Sequence, residues 1–163
     1  MQSPVPLLAR MLASLDAVLA KGEAHCEARR VDPAVLADDR LALDMLPLRR
    51  QVAIACDHAK NGSARLAGQE APRFADEEAT LAELRDRVAR TLAYLATIPE
   101  GAFAGAEGRP VRFSTGHREL SFETGADYLA ANLLPNFFFH VVTAYAILRH
   151  RGVDIGKRDY LGV

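Results

Sequence analysis

Apolar residues recur at three- and four-residue spacing in four long stretches of the chain, and this period predicts four amphipathic helices. The first stretch covers about residues 4–28, the second 47–66, the third 80–98 and the fourth 136–150. Pro4 and Pro47 stand where helices begin, and Gly68 and Gly152 stand where helices end. A further short turn of helix is predicted over residues 33–37, and Pro135 either kinks the last helix or starts it.

Residues 100–124 break the helical period. Val111 and Phe113, and then Leu120 and Phe122, alternate with polar residues on either side of a Ser-Thr-Gly-His turn. This alternation predicts a β-hairpin with strands near 110–115 and 118–123. We therefore expect one all-α domain over residues 1–163, an antiparallel four-helix bundle with a small β-hairpin between its third and fourth long helices.

Charge and composition exclude some classes of partner. The 163 residues include 20 Lys and Arg against 21 Asp and Glu, with no basic block of five or more. A dedicated nucleic-acid binder usually carries a basic excess, so none is expected here. Charged residues and prolines interrupt the apolar runs, so no membrane partner is expected either. Two cysteines without a CxxC motif are too few for a disulfide framework, and the cytoplasm is the expected location.

Three polar side chains are the candidates for a functional site. His140 falls on the apolar face of the fourth helix, and Asn136 lies one turn earlier on the same face. His58 lies at the edge of the small-residue face of the second helix. A bundle can bring these three together, either as ligands of a divalent ion such as zinc or nickel or as a satisfied polar network. In the second case we expect His140 to bond to Asn136 or to a backbone carbonyl, and the residues alone leave both interpretations open.

Other candidate groups have structural explanations. His25 and His150 stand near helix C-termini, where a cation is favoured, and His117 is expected to be a solvated residue at the hairpin tip. Cys56 is two positions from His58, and neighbours at this spacing face apart on a helix. No nucleotide-binding loop, HExxH motif or nucleophilic triad pattern is present.

The aromatic run at 137–139 suggests a covered surface. Phe137, Phe138 and Phe139 point in directions about 100° apart on a helix, so they cannot all face one core. An apolar side chain left outside the bundle is expected to meet the hairpin or a second subunit, and Val142 and Tyr145 would extend that patch.

Several segments also resemble a known family. The segments PNFFFH at 135–140, AYAILRHRG at 144–152 and GKRDYLG at 156–162 look like the end of an uncharacterised bacterial domain-of-unknown-function family. The segments DHAK at 57–60 and LAG at 66–68 resemble its second helix. That family is similar to the DinB/YfiT-like superfamily of metalloenzymes, four-helix bundles that are often dimeric.

The resemblance implies a metal site. Superfamily members hold a divalent ion through one His on helix two and a His-x-x-x-His pair on helix four, and some are thiol-dependent transferases or isomerases that use mycothiol or bacillithiol. His58 matches the first position and His140 the last, whereas Asn136 stands in place of the other His. The resemblance implies a thiol-transferase-like homodimer that uses zinc or nickel. The alternative is a non-catalytic dimeric bundle whose polar trio is structural or binds a small molecule.

Overall fold

Four long helices form a bundle in the computed structural model, which describes residues 1–116 and 118–163. His117, predicted at the hairpin tip, lies outside the described residues. The long helices are α1 (Val5–Arg29), α3 (Leu48–Ala67), α4 (Leu81–Ala96) and α6 (Leu134–His150). The short helices are α2 (Pro33–Ala37), α5 (Gly125–Tyr128) and α7 (Lys157–Leu161), and the hairpin pairs β1 (Val111–Ser114) with β2 (Glu119–Phe122). The predicted all-α four-helix bundle with a small β-hairpin is confirmed, but α3 and α4 run parallel where the sequence predicts an antiparallel order.

Local sequence signals set the helix ends. Thr80 caps α4 by accepting a hydrogen bond from the backbone of Glu83, whose carboxylate accepts one from the backbone of Thr80. Asp32 caps α2 in a similar way, through the backbone N–H of Ala34. Gly68 ends α3 with a φ of 70°, a left-handed conformation that glycine adopts without strain.

The helices α3 and α4 run in the same direction. Asp57 pairs with Arg87 near the middle of both helices, and Gln69, just beyond the end of α3, donates to Tyr94 near the end of α4. Such a parallel pair needs a connection that returns along the helix. Residues 68–80 supply this connection, which we name the crossover. The helices α1 and α6 run the opposite way, so the bundle has two helices in each direction.

The crossover is held against α3 and α4 by buried charge. Its Pro72 carbonyl accepts a hydrogen bond of 2.6 Å from the buried Lys60, and its Asp76 lies 2.6 Å from Arg50 near the start of α3. On α4, the guanidinium of Arg87 is fully buried and contacts Asp57, Asp76 and Glu78 at 3.0–3.1 Å. We name Arg87 and these three carboxylates the Arg87 cluster.

Pro135 lies inside a continuous helix. The chain is helical without a break from Gly125 to His150, and a π-helical turn over Leu129–Leu133 comes just before α6 and Pro135. The missing N–H of Pro135 therefore falls where the hydrogen-bond pattern changes from π to α. The π turn packs closely on α3 at Gly62, where a Cβ atom would lie only 2.4 Å from Leu133 Cδ1. This glycine lets α3 approach the start of α6.

The stretch Gly125–His150 is long and apolar enough to cross a membrane, with 26 residues and a mean hydropathy of 1.4. The core helix of a soluble protein meets the same criterion. Here the apolar face of α6 packs into the bundle core through Phe137, Val141, Ala144, Ile147 and Leu148. The absence of a membrane partner remains a prediction.

The C-terminal tail forms α7 and packs on α1 of its own chain. Lys21 pairs with Asp159, and Tyr145 of α6 meets Tyr160 edge-on with ring centroids 5.8 Å apart. Tyr145 therefore packs against the tail instead of extending an outer apolar patch.

Candidate metal centre

The imidazoles of His58 and His140 come together between α3 and α6. Their ring centroids lie 5.8 Å apart with an angle of 17° between the planes, and both side chains are half-buried. The two helices run antiparallel here, since His58 faces His140 while Arg65, further along α3, meets Tyr128 before α6. Two of the three predicted site residues are therefore neighbours in space.

Gln51 sets the orientation and the tautomer of His140. The Gln51 side chain is buried, and its Nε2 donates to the Leu46 carbonyl at 2.9 Å. Its Oε1 atom is therefore the acceptor that lies 2.7 Å from His140 Nδ1. His140 must then carry its proton on Nδ1, which leaves the lone pair on Nε2. The expectation that His140 would bond to Asn136 or to a backbone carbonyl was wrong, because Gln51 reaches it from α3.

The sequence analysis missed Gln51 as a member of the site. Its only signal is spacing, because Gln51 precedes His58 by seven residues and so lies two turns earlier on the same face of α3. A polar residue at a buried helix position is informative only once its partner on another helix is known.

Asn136 lies one turn before His140 on α6, as its spacing predicts. Its Nδ2 donates to the Asn132 carbonyl in the π turn at 2.7 Å. Within the described residues the Asn136 side chain makes no other hydrogen bond, so its Oδ1 atom is available to coordinate an ion or to accept a hydrogen bond. No hydrogen bond joins Asn136 to either imidazole among these residues.

Burial keeps both imidazoles neutral. Burial is the main cause that lowers the pKa of His58 to about 4, and the positive charges of His140 and Arg65 contribute to the same shift. Burial also lowers the pKa of His140. Neutral imidazole is the form that binds metal ions.

Neighbouring reactive groups do not join the imidazoles. Asp57 turns to Arg87 and Lys60, at 3.1 and 3.4 Å. Burial raises the pKa of the Cys56 thiol to about 12, so it remains protonated and is not a nucleophile at neutral pH. In the part of the chain that the structure describes, no three His, Cys, Asp or Glu side chains cluster closely enough to hold a metal. Any ion here would rely on two imidazoles and on amide or water oxygens.

A cavity of about 650 Å³ opens along the same helix, between α3, the crossover and the hairpin. Asn61 and Arg65 contribute to it from α3, and Ser114 contributes from β1. The Arg65 guanidinium stacks on the Phe113 ring at 3.9 Å and donates to the Tyr128 hydroxyl at 3.1 Å. The hairpin thus borders, through Ser114, a cavity on the helix that carries His58.

Comparison with known proteins identifies the family. A model described as a domain of unknown function, DUF1993, matches residues 1–161. The chain belongs to the DUF1993 family. The DUF1993 chain is also similar to a crystal structure of a DinB family member protein from Shewanella denitrificans, with 46% identity and a TM-score of 0.88 over 98% of this chain and 89% of that one. No curated protein matches the sequence. The predicted resemblance to an uncharacterised DinB-like family is confirmed.

The low pKa of His58 predicts acid sensitivity in the metal-free DUF1993 chain. Its folded pKa is about 4 and its unfolded pKa about 6.5, so the unfolded state takes up a proton first as the pH falls. The stabilisation is complete above pH 6.5 and is lost between about pH 6.5 and 4, by an amount on the order of 3 kcal/mol. Urea unfolding with a chelator present should show a steeper fall over this range for the wild type than for His58→Gln. Parallel curves for the two proteins would contradict this prediction.

Proposed function

We propose that this DinB-like chain is a metal-dependent enzyme that binds a divalent ion, zinc or nickel, through His58 and His140 and acts on a thiol substrate. The observation that carries the proposal is the hydrogen bond from His140 to Gln51, which leaves Nε2 of His140 free beside a second neutral imidazole. Metal-binding histidines usually donate their other ring N–H to an oxygen acceptor in this way.

The spacing of the imidazoles fits a shared ion. Zinc–nitrogen bonds are about 2.0–2.1 Å long, so two imidazoles on one ion have ring centroids roughly 5–6 Å apart. The observed distance of 5.8 Å between His58 and His140 agrees with this value. The two rings lie on different helices of a packed bundle, so their separation is supported by the fold.

Asn136 is the proposed third protein ligand. Its free Oδ1 lies on the same face of α6 as His140, one turn away. An amide oxygen is a harder and weaker ligand than imidazole for zinc or nickel, so the ion would be held less tightly than by three histidines. A site with few protein ligands keeps positions open for water or substrate, as catalytic zinc sites do.

The chain would contribute binding and orientation to the reaction. A bound ion acts as a Lewis acid and lowers the pKa of a coordinated water or thiol. His58 and His140 would hold the ion, and Gln51 would hold His140 in its binding tautomer. The protonated thiol of Cys56 has no part in this scheme, so the reacting thiol must come from a substrate.

Removal of Gln51 tests the role of the hydrogen bond. In Gln51→Leu the His140 ring loses its acceptor, and we expect the affinity for zinc or cobalt to fall about 10–100-fold. Competition with a chromophoric chelator measures this change. The matched control is Gln69→Leu, at an exposed glutamine that bonds to Tyr94, and it should keep wild-type affinity. Equal affinities for all three proteins would contradict the proposed role of Gln51.

A thiol ligand can be tested on the cobalt-loaded protein. Addition of 2-mercaptoethanol should produce a sulfur-to-cobalt charge-transfer band if an open position accepts a thiol. Cobalt binding without this band would keep the metal site but remove the thiol substrate from the proposal.

The second candidate is a non-catalytic dimeric bundle that uses the same polar residues structurally or for a small molecule. The hydrogen bonds of His140 to Gln51 and of Asn136 to Asn132 favour it, because they satisfy these groups without any ligand. For both candidate functions we propose a cytoplasmic location, because the two cysteines are buried free thiols and cytoplasmic proteins rarely contain disulfides. Zinc binding distinguishes the two.

We also propose that the chain forms a homodimer through α6. Phe137 is buried, whereas Phe139 is 57% exposed and Val142, on the next turn, is 46% exposed. Adjacent exposed apolar side chains on a core helix are typical of an interface. Light scattering at micromolar concentration should give the mass of two chains, and Phe139→Asp should give the mass of one. A single-chain mass for the wild type would contradict the dimer.

A further inference from the structure

Arg65 is a half-buried guanidinium that is held in place by uncharged groups. It stacks on the Phe113 ring at 3.9 Å and donates one hydrogen bond of 3.1 Å to the Tyr128 hydroxyl. Among residues 1–116 and 118–163, no carboxylate oxygen lies within 4.0 Å of its nitrogens. Arginine has five N–H donors in a fixed plane, so most of them remain free on a side chain that is already ordered.

The other charges of the cavity wall are paired or offset. Asp57 and Asp76 bind the buried Arg87, and Lys60 binds Asp57 and the Pro72 carbonyl. Glu70 and Arg73 line the cavity as exposed residues of opposite charge. Of the cations in the wall that are buried or half-buried, Lys60 is paired with Asp57, whereas Arg65 has no ion-pair partner within the described residues.

Arg65 lies on the same face of α3 as the candidate metal centre. Asn61 and Arg65 follow His58 by three and seven residues, so they lie one and two turns further along the helix. With a rise of 1.5 Å per residue, Arg65 stands about 10 Å from His58 along the helix axis. The cavity of about 650 Å³ is lined by Asn61 and Arg65 but not by the two imidazoles, so an extended small molecule would have to reach beyond it along this face to meet His58.

We propose that the cavity between α3, the crossover and the hairpin binds the carboxylate or phosphate group of the chain's small-molecule ligand, with Arg65 as the principal contact. A guanidinium plane binds either group through two parallel hydrogen bonds. Asn61, between Arg65 and His58, supplies a further polar contact. The ligand's other end would lie at His58 and His140, and this part of the inference rests on the proposed function.

Anion binding is tested first on the metal-free protein. Backbone amide NMR spectra are recorded at low ionic strength during titration with inorganic phosphate and, separately, with glutarate. We expect saturable shifts at Asn61, Arg65 and Ser114 with at least one of the two anions. Arg65→Gln should weaken that binding at least about tenfold, the equivalent of one charge-assisted hydrogen bond.

Two further variants separate recognition from general charge. Arg65→Lys keeps the charge but loses the planar pair of donors, so its binding should be intermediate. Arg29→Gln removes one positive charge from an exposed position in α1 and should bind as the wild type does. Shifts with phosphate alone indicate a phosphate ligand, and shifts with glutarate alone indicate a carboxylate ligand. Absence of saturable shifts in the folded wild type, or equal weakening by Arg29→Gln and Arg65→Gln, would overturn the proposal.

A second experiment tests whether the cavity and the metal centre bind one molecule. On zinc-loaded protein, 6-mercaptohexanoate should bind at least about tenfold more tightly than 6-mercaptohexanol, and Arg65→Gln should remove the difference. Equal binding of the two thiols by the wild type would overturn the link. If zinc does not bind, the proposed function fails, whereas the phosphate and glutarate titrations still decide the role of Arg65.

Discussion

The variant Arg87→Met is expected to lose about 3–5 kcal/mol of the free energy of unfolding. The guanidinium of Arg87 is fully buried and lies within 3.1 Å of oxygens of Asp57, Asp76 and Glu78. Glu78 is itself buried, and its carboxylate also meets the partly exposed Arg90. Replacement of Arg87 by an apolar side chain leaves the buried Glu78 carboxylate without its closest buried cation and removes the partner that Asp57 and Asp76 share.

Arg85→Met is the matched control. Arg85 lies two residues earlier on α4 and also forms two ion pairs, with Asp16 at 2.9 Å and Glu23 at 2.8 Å. Its side chain is 37% exposed, so solvent screens these pairs and their loss should cost about 0–1 kcal/mol. Urea unfolding of the two variants therefore compares the same substitution in a buried and in a solvated setting.

The Arg87 variant should also loosen the crossover. Arg87 donates to the Ala75 carbonyl at 2.8 Å and pairs with Asp76, so it fixes the segment that forms one wall of the cavity. Faster amide hydrogen exchange over residues 70–79 should accompany the loss of stability. Equal costs for Arg87→Met and Arg85→Met would show that the buried cluster does not hold the crossover.

The second large effect is expected on metal binding. His140→Ala removes one of the two imidazoles that face each other, and we expect its affinity for zinc to fall by more than about 100-fold, beyond the range seen for loss of a supporting hydrogen bond. Asn136 and water cannot replace a nitrogen ligand for a borderline-soft ion. Chelator competition measures the affinity, and circular dichroism confirms that the variant remains folded.

His150→Ala is the control for this measurement. His150 is an exposed imidazole at the end of the same helix, so its loss removes a histidine without touching the proposed centre. Its zinc affinity should equal that of the wild type. An equal loss in the two variants would mean that zinc binds to surface histidines and not between α3 and α6.

The sequence predicts the helices well because their signals are local. The apolar period, Pro47 at the N-cap and Gly68 at the C-cap place α3 within one residue of its observed ends. The relative direction of two helices cannot be predicted from these local signals, because a hydrophobic stripe packs equally well against a parallel or an antiparallel neighbour. The parallel arrangement of α3 and α4 depends on where Arg87 and Lys60 anchor the crossover, and those contacts join residues far apart in the chain.

The candidate site is predictable to a similar extent. The helical faces indicate that His58 and His140 can meet, and the structure brings their rings together. The partner of His140 is not predictable, because Gln51 acts from another helix, 89 residues away in sequence. The role of Asn136 stays a prediction, since its observed hydrogen bond goes to Asn132.

Zinc stoichiometry of the untagged protein tests the central claim most directly. Protein purified without a histidine tag is loaded with one equivalent of zinc per chain, desalted and analysed by mass spectrometry of the metal, beside the double variant His58→Ala/His140→Ala. The account predicts about one zinc per chain for the wild type, with increased thermal stability, and almost none for the double variant, since neutral imidazoles are its main ligands. Less than about 0.1 zinc per chain in the wild type, with no change in its thermal stability, would contradict it.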